Sequence, residues 1–125
     1  MTDALVREQS FRADRREVAR ARRFAVEAAA VQGRAAEDLA LVTSELATNA
    51  VLHATSPFLV RVVVSSSVIR VEVRDDDPTE PVPRPGPHEG PDGRGISIVA
   101  SIARRWGVVR DGGGKWVWAE VDRRP

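Results

Sequence analysis

Glu45 and Asn49 stand four residues apart in Val-Thr-Ser-Glu-Leu-Ala-Thr-Asn-Ala-Val-Leu-His-Ala, residues 42–54, a stretch otherwise suited to burial. On an α-helix, residues four apart share a face. Leu39, Val42 and Leu46 form an apolar stripe beside them, so one carboxylate and one carboxamide line the edge of a core helix. A carboxylate can take up a proton and a carboxamide oxygen can hold a hard cation. The same pair also suits an ordinary solvated helix face. A second acidic candidate is Asp75, which continues the inward parity of Ile69, Val71 and Val73, while Arg70, Glu72 and Arg74 take the other face. Period 2 thus puts a carboxylate on the helix-facing side of a strand end, where burial requires a partner. Alternatively, Asp75-Asp76-Asp77-Pro78 is good turn chemistry, with Asp75 as an Asx residue.

The elements that position these groups follow from periodicity. Residues 4–11 read as a first strand and Ala13–Val31 as a helix ending near Gly33; Ala35–Ala54 form a second helix, stopped before Pro57. Phe58–Ser65 and Val68–Arg74 make a hairpin through a serine-rich turn. Pro78 to Gly93 carries six prolines and three glycines and excludes helix and strand; it reads as a long functional lid, or as an insertion without a role. Gly93 and Gly95 precede a third amphipathic helix on Ile96, Ile98, Val99, Ile102 and Ala103. Glycines there suit ordinary helix entry, or leave the first N–H groups open to a phosphate. The chain closes with a hairpin of Trp106–Val109 and Lys115–Val121 around Asp111–Gly114. Val117, Ala119 and Val121 share the face expected to meet the helices, which puts Trp116 and Trp118 on the outer face, either as packed residues or as a protein interface.

Composition narrows the chemistry. With 125 residues, 42% of them hydrophobic and 30% charged, the chain suits one globular domain over 1–125, with the lid at 76–94. Without cysteine, disulfides, thiolate metal sites and thiol nucleophiles are excluded, and two distant histidines give little basis for structural zinc. His53 reads as a packed helix-end residue or a neighbour of the phosphate site, and His88 as solvated. A net charge of +1 argues against direct nucleic-acid binding, although seven arginines between Arg7 and Arg23 line the first helix and its approach. That cluster reads as a solvated face, or as one that contacts phosphates or a partner. With neither a signal peptide nor an apolar run of membrane-spanning length, the expected location is cytoplasmic, with no membrane partner.

Taken together and in order, Ser44-Glu45-Leu46-x-Thr48-Asn49-Ala50-Val51, Val73-Arg74-Asp75, Gly93-Arg94-Gly95-Ile96 and Trp106-Gly107 resemble the GHKL (histidine kinase-like) ATPase superfamily. The short form resembles the bacterial anti-sigma factor serine/threonine kinases and their short actinobacterial ATP-binding relatives. That resemblance implies an α+β two-layer sandwich, a mixed and mainly antiparallel sheet covered on one face by three helices, with ATP and Mg2+ as cofactors. It implies that Asp75 accepts from the adenine amino group, that Asn49 holds Mg2+, and that Glu45 is the general base. Asp77, Gly93, Arg94, Gly95 and Ile96 fall in the nucleotide-binding segments, where the glycines let the lid and helix N-terminus wrap the phosphates. The implied activity is ATP-dependent phosphorylation of a serine or threonine on an anti-anti-sigma antagonist, with binding of a sigma factor and possible homodimerisation.

The resemblance departs from its pattern at one point. The usual Asp-x-Gly-x-Gly is Asp75-Asp76-Asp77-Pro78-Thr79 here, without either glycine. The first glycine normally lets the backbone approach the adenine, so altered nucleotide binding is expected. Trp116 also replaces a small polar residue of many relatives and narrows the expected adenine pocket. From a different functional class, the alternative is a protein-docking module, with or without nucleotide, that lacks kinase activity.

Overall fold

Five strands and three helices alternate along the chain as β1 (Leu5–Phe11), α1 (Glu17–Ala29), α2 (Gly33–His53), β2 (Phe58–Val64), β3 (Val68–Asp75), α3 (Pro91–Ile102), β4 (Arg105–Asp111) and β5 (Gly114–Asp122). A computed structural model describes residues 4–53, 55–77, 79 and 91–124, and the side chains of all of these except His53 and 91–95. The sheet order is β1-β2-β3-β5-β4, and every pairing is antiparallel. This is the expected α+β architecture, with a sheet that is antiparallel throughout its described strands rather than mixed.

Alternation in β2, β3 and β5 decides the layering. Val60, Val62, Val64, Ile69, Val71, Val73, Val117, Ala119 and Val121 turn to one face and are buried against α1 and α2. The helices answer with Ala21, Ala25, Leu39, Val42, Leu46 and Ala50, and Val99 of α3 completes the core. Small alanines on α1 let it approach closely, and apolar burial of this kind contributes on the order of 25 cal/mol per Å2.

The opposite face of the sheet pairs arginines with glutamates. Glu8, Arg61, Glu72, Arg70, Glu120 and Arg105 form a ladder of ion pairs across all five strands, with N–O distances of 2.9, 3.2, 2.8, 3.4 and 2.8 Å in that order. The guanidinium carbons of Arg61 and Arg70 stack 4.2 and 3.9 Å from the ring centroids of Trp116 and Trp118. The tryptophans are therefore on the outer face, as the parity of β5 requires, half-buried beneath arginines, so Trp116 does not narrow a pocket on the helix-facing side, contrary to expectation.

Three boundaries differ from the sequence reading. First, α1 begins at Glu17, because Asp14 accepts the Arg16 backbone N–H at 2.9 Å and its guanidinium at 2.9 and 3.2 Å, holding the preceding turn. It ends at Ala30, whose φ of 54° and ψ of 43° are left-handed and whose N–H donates to Val26 and Glu27. Second, α2 starts two residues early, at Gly33. Third, α3 starts at Pro91, so Gly93, Arg94 and Gly95 belong to its first turns instead of preceding it. Proline is favoured at the first helical position, where its missing N–H has no intrahelical role. The expected lid over 76–94 falls largely on residues 78 and 80–90, outside the described residues.

Candidate functional site

The antiparallel topology gathers the candidate residues at one end of the sheet. The last residue of β3, Asp75, pairs with Lys115 near the start of β5, and the end of β4, Asp111, pairs with Gly114. The start of β2 lies at the same end, since Leu59 pairs with Arg74. Because α2 feeds β2, its C-terminal half, with Glu45 and Asn49, also points there. A helix of 12 residues is about 18 Å long, so α3, which leads into the far end of β4, has its N-terminus back toward this end.

Direct contacts close the assembly. Asp76 accepts from Thr55 through its backbone N–H at 3.1 Å and its hydroxyl at 2.9 Å, tying the exit of α2 to the exit of β3. The Thr55 hydroxyl and then its N–H hold the Asp76 carboxyl below the ordinary carboxylate value of 3.8. On the other flank Arg74 donates to Asp111 Oδ2 at 3.0 Å and to its carbonyl at 2.8 Å, and the Trp116 indole donates to the same Oδ2 at 3.1 Å. Arg74 first and Trp116 second lower the Asp111 pKa. These bonds fix the β4–β5 turn against the end of β3.

Asn49 is 8% exposed, at the margin of the apolar stripe of α2. Glu45, one turn earlier, is partly exposed, and Ser44 donates to the Ala40 carbonyl at 2.8 Å. The Asn49 carboxamide oxygen is a donor that fits Mg2+ carried in by phosphates, since Mg2+ typically needs only one or two protein oxygens and takes the rest from substrate and water. Among the described residues no group of three His, Cys, Asp or Glu forms a self-sufficient metal cage.

Asp75 is 2% exposed, so its inward parity holds, and it is also an Asx residue: its Oδ1 accepts the Asp77 backbone N–H at 2.9 Å. Both sequence readings of this carboxylate are therefore correct. The partner that burial demanded is a residue the sequence reading missed. Lys115, 0% exposed, donates to Asp75 Oδ1 at 2.9 Å, to Oδ2 at 3.2 Å and to the Asp77 carbonyl at 2.6 Å. The signal was present in β5, where Lys115 shares the parity of Val117, Ala119 and Val121. Gly114 beside it admits no side chain, because a Cβ there would collide with the Asp75 carbonyl oxygen.

Ile96 is buried at the first described side chain of α3. The side chains of Gly93, Arg94, Gly95 and His53 lie outside the described residues, as does His88. Asp77 is partly buried, and its own carboxylate accepts the Thr79 N–H at 2.9 Å. No helix among the described residues is long and apolar enough to cross a membrane. The family model of the histidine kinase-like ATPase domain matches residues 11–121, which includes every element from the end of β1 to near the end of β5. No curated protein matches the chain.

Proposed function

Because the chain belongs to the histidine kinase-like ATPase family, we propose that it binds Mg-ATP at this end of the sheet and acts as an anti-sigma-factor-type serine/threonine kinase. The observation that carries this reading is the convergence of Asn49, Glu45 and the buried Asp75 from two separate elements onto one end of the fold. In this reading the purine sits toward Asp75 and the triphosphate extends along α2 toward the N-terminus of α3, the end of a helix dipole that favours anions. Asn49 would hold Mg2+, which neutralises charge on the phosphates. Glu45 accepts the proton of an incoming serine or threonine hydroxyl as its oxygen bonds to the γ-phosphorus. The bond from that phosphorus to the bridging oxygen breaks, and ADP leaves with the electron pair. By resemblance the acceptor is an antagonist protein, and a sigma factor is the sequestered partner. A cytoplasmic setting goes with those partners.

The test is transfer of labelled γ-phosphate to a candidate antagonist. Glu45→Ala is expected to lose on the order of 10² to 10⁴ in rate, with ATP affinity kept within about threefold, since a base acts on the transition state. Full activity in the variant would remove Glu45 from the mechanism. A second reading, a docking module without phosphotransfer, is favoured by one observation: the carboxylate expected to read adenine already carries Lys115. Tight partner binding without any phosphotransfer by the native protein would select it.

A further inference from the structure

The Asp75–Lys115 pair bears on which nucleotides the site accepts, an inference that rests on the nucleotide reading above. A carboxylate that reads adenine must offer an acceptor to the 6-amino group and, being negative, must repel a 6-oxo group. Here Oδ1 already accepts from both Lys115 and the Asp77 N–H, and Oδ2 accepts from Lys115. All three ammonium donors have oxygen acceptors, the third being the Asp77 carbonyl. The side chains are 2% and 0% exposed, so the pair is buried at the end of the sheet rather than a surface contact.

We infer that Lys115 competes with the purine for Asp75 and makes the site indifferent to the 6-substituent, so that purine nucleoside triphosphates are bound chiefly through their phosphates. A 6-amino group can donate to the remaining lone pair of Asp75 Oδ2. A 6-oxo group can accept from Lys115 once the ammonium releases Asp75 Oδ2, its longest contact at 3.2 Å, and the N1–H beside that oxo group can donate to the freed oxygen. The pair therefore presents an acceptor and a donor at the same point, and neither base leaves a buried group unpaired. Sites that discriminate strongly do so because the wrong ligand leaves one unpaired. Lys115 acts as the specificity residue, and its register opposite Asp75 is held by Gly114, where a Cβ would strike the Asp75 carbonyl.

The experiment compares ATP with inosine triphosphate, each with Mg2+, by calorimetric titration of the native protein and of Lys115→Met. The native protein is expected to bind the two within about threefold, whereas Lys115→Met, with a bare carboxylate, favours ATP by about tenfold or more. Binding of ATP by Lys115→Met but of neither nucleotide by the native protein would overturn the inference, since the native site would then not hold the phosphates. A native preference for ATP of about tenfold or more would overturn the inference and leave the nucleotide reading standing. Absence of binding by both proteins would overturn both. Should Lys115→Met not fold, Lys115→Gln removes the charge and keeps an amide donor group, and the native comparison of ATP with inosine triphosphate decides the matter by itself.

Discussion

Replacing Lys115 with Met should be among the most destabilising single changes available in this sheet. The substitution removes two ammonium bonds to Asp75, at 2.9 and 3.2 Å, and one to the Asp77 carbonyl at 2.6 Å. It leaves a carboxylate that is 2% exposed on the same inner face of the sheet as Val73 and Val117. Breaking a buried pair from one side costs about 3 to 5 kcal/mol, because the remaining charge is uncompensated. With an unfolding entropy of about 2.1 cal/mol/K per residue over this length, that corresponds to a Tm lower by about 11 to 19 °C. Asp75→Asn should cost a comparable amount, since it strands the ammonium. The double variant Asp75→Asn/Lys115→Met removes both charges and should recover at least about half of the summed loss, as buried pairs replaced by neutral groups often prove close to neutral. Urea unfolding of the four proteins measures the cycle. Single losses below about 1 kcal/mol, or a double variant equal to the sum of the singles, would refute the claim that the two charges are buried against each other.

Three further outcomes test the supporting geometry. Gly114→Ala drives a Cβ into the Asp75 carbonyl and to 3.1 Å from the Asp76 Cα, so a loss of about 1 to 3 kcal/mol is expected by urea unfolding; Gly113→Ala, with nothing within 4 Å, should stay within about 0.5 kcal/mol. Ala30→Gly should stabilise the protein by about 0.5 to 1 kcal/mol in the same assay, because the helix ends on a left-handed alanine at φ 54°. The depressed Asp76 carboxyl gives stability that is present above its unfolded value of 3.8 and lost as pH falls through the lower folded value. Melting curves of native protein and Asp76→Asn should therefore differ at neutral pH and converge below that value, and a constant gap down to pH about 2 would contradict the Thr55 contact.

Much of this architecture was legible because period 2 and period 3.6 are unambiguous where apolar residues are β-branched or small. Parity alone put Asp75 inward and the tryptophans outward, and both placements hold. The same rule applied to β5 would have turned Lys115 inward. A lysine at a strand start ordinarily belongs to the solvent, and only the β3–β5 register brings this one opposite a carboxylate. The start of α3 was missed because glycine reads as a helix breaker, whereas Pro91 supplies a favourable first position and the glycines follow it into the first turns. Likewise, the end of α1 falls on an alanine in a conformation that sequence assigns to glycine, three residues before Gly33. The outer ladder of arginines and glutamates could not be read before strand order was known, since it links residues from all five strands.

The central claim is that Asn49 and its surroundings take up a nucleotide with Mg2+. Calorimetric titration with ATP, with and without Mg2+, on native protein and Asn49→Ala tests it most directly. Mg2+ is expected to strengthen binding in the native protein, and that effect should disappear in the variant. No heat at millimolar Mg-ATP, or an identical Mg2+ dependence in both proteins, would contradict it.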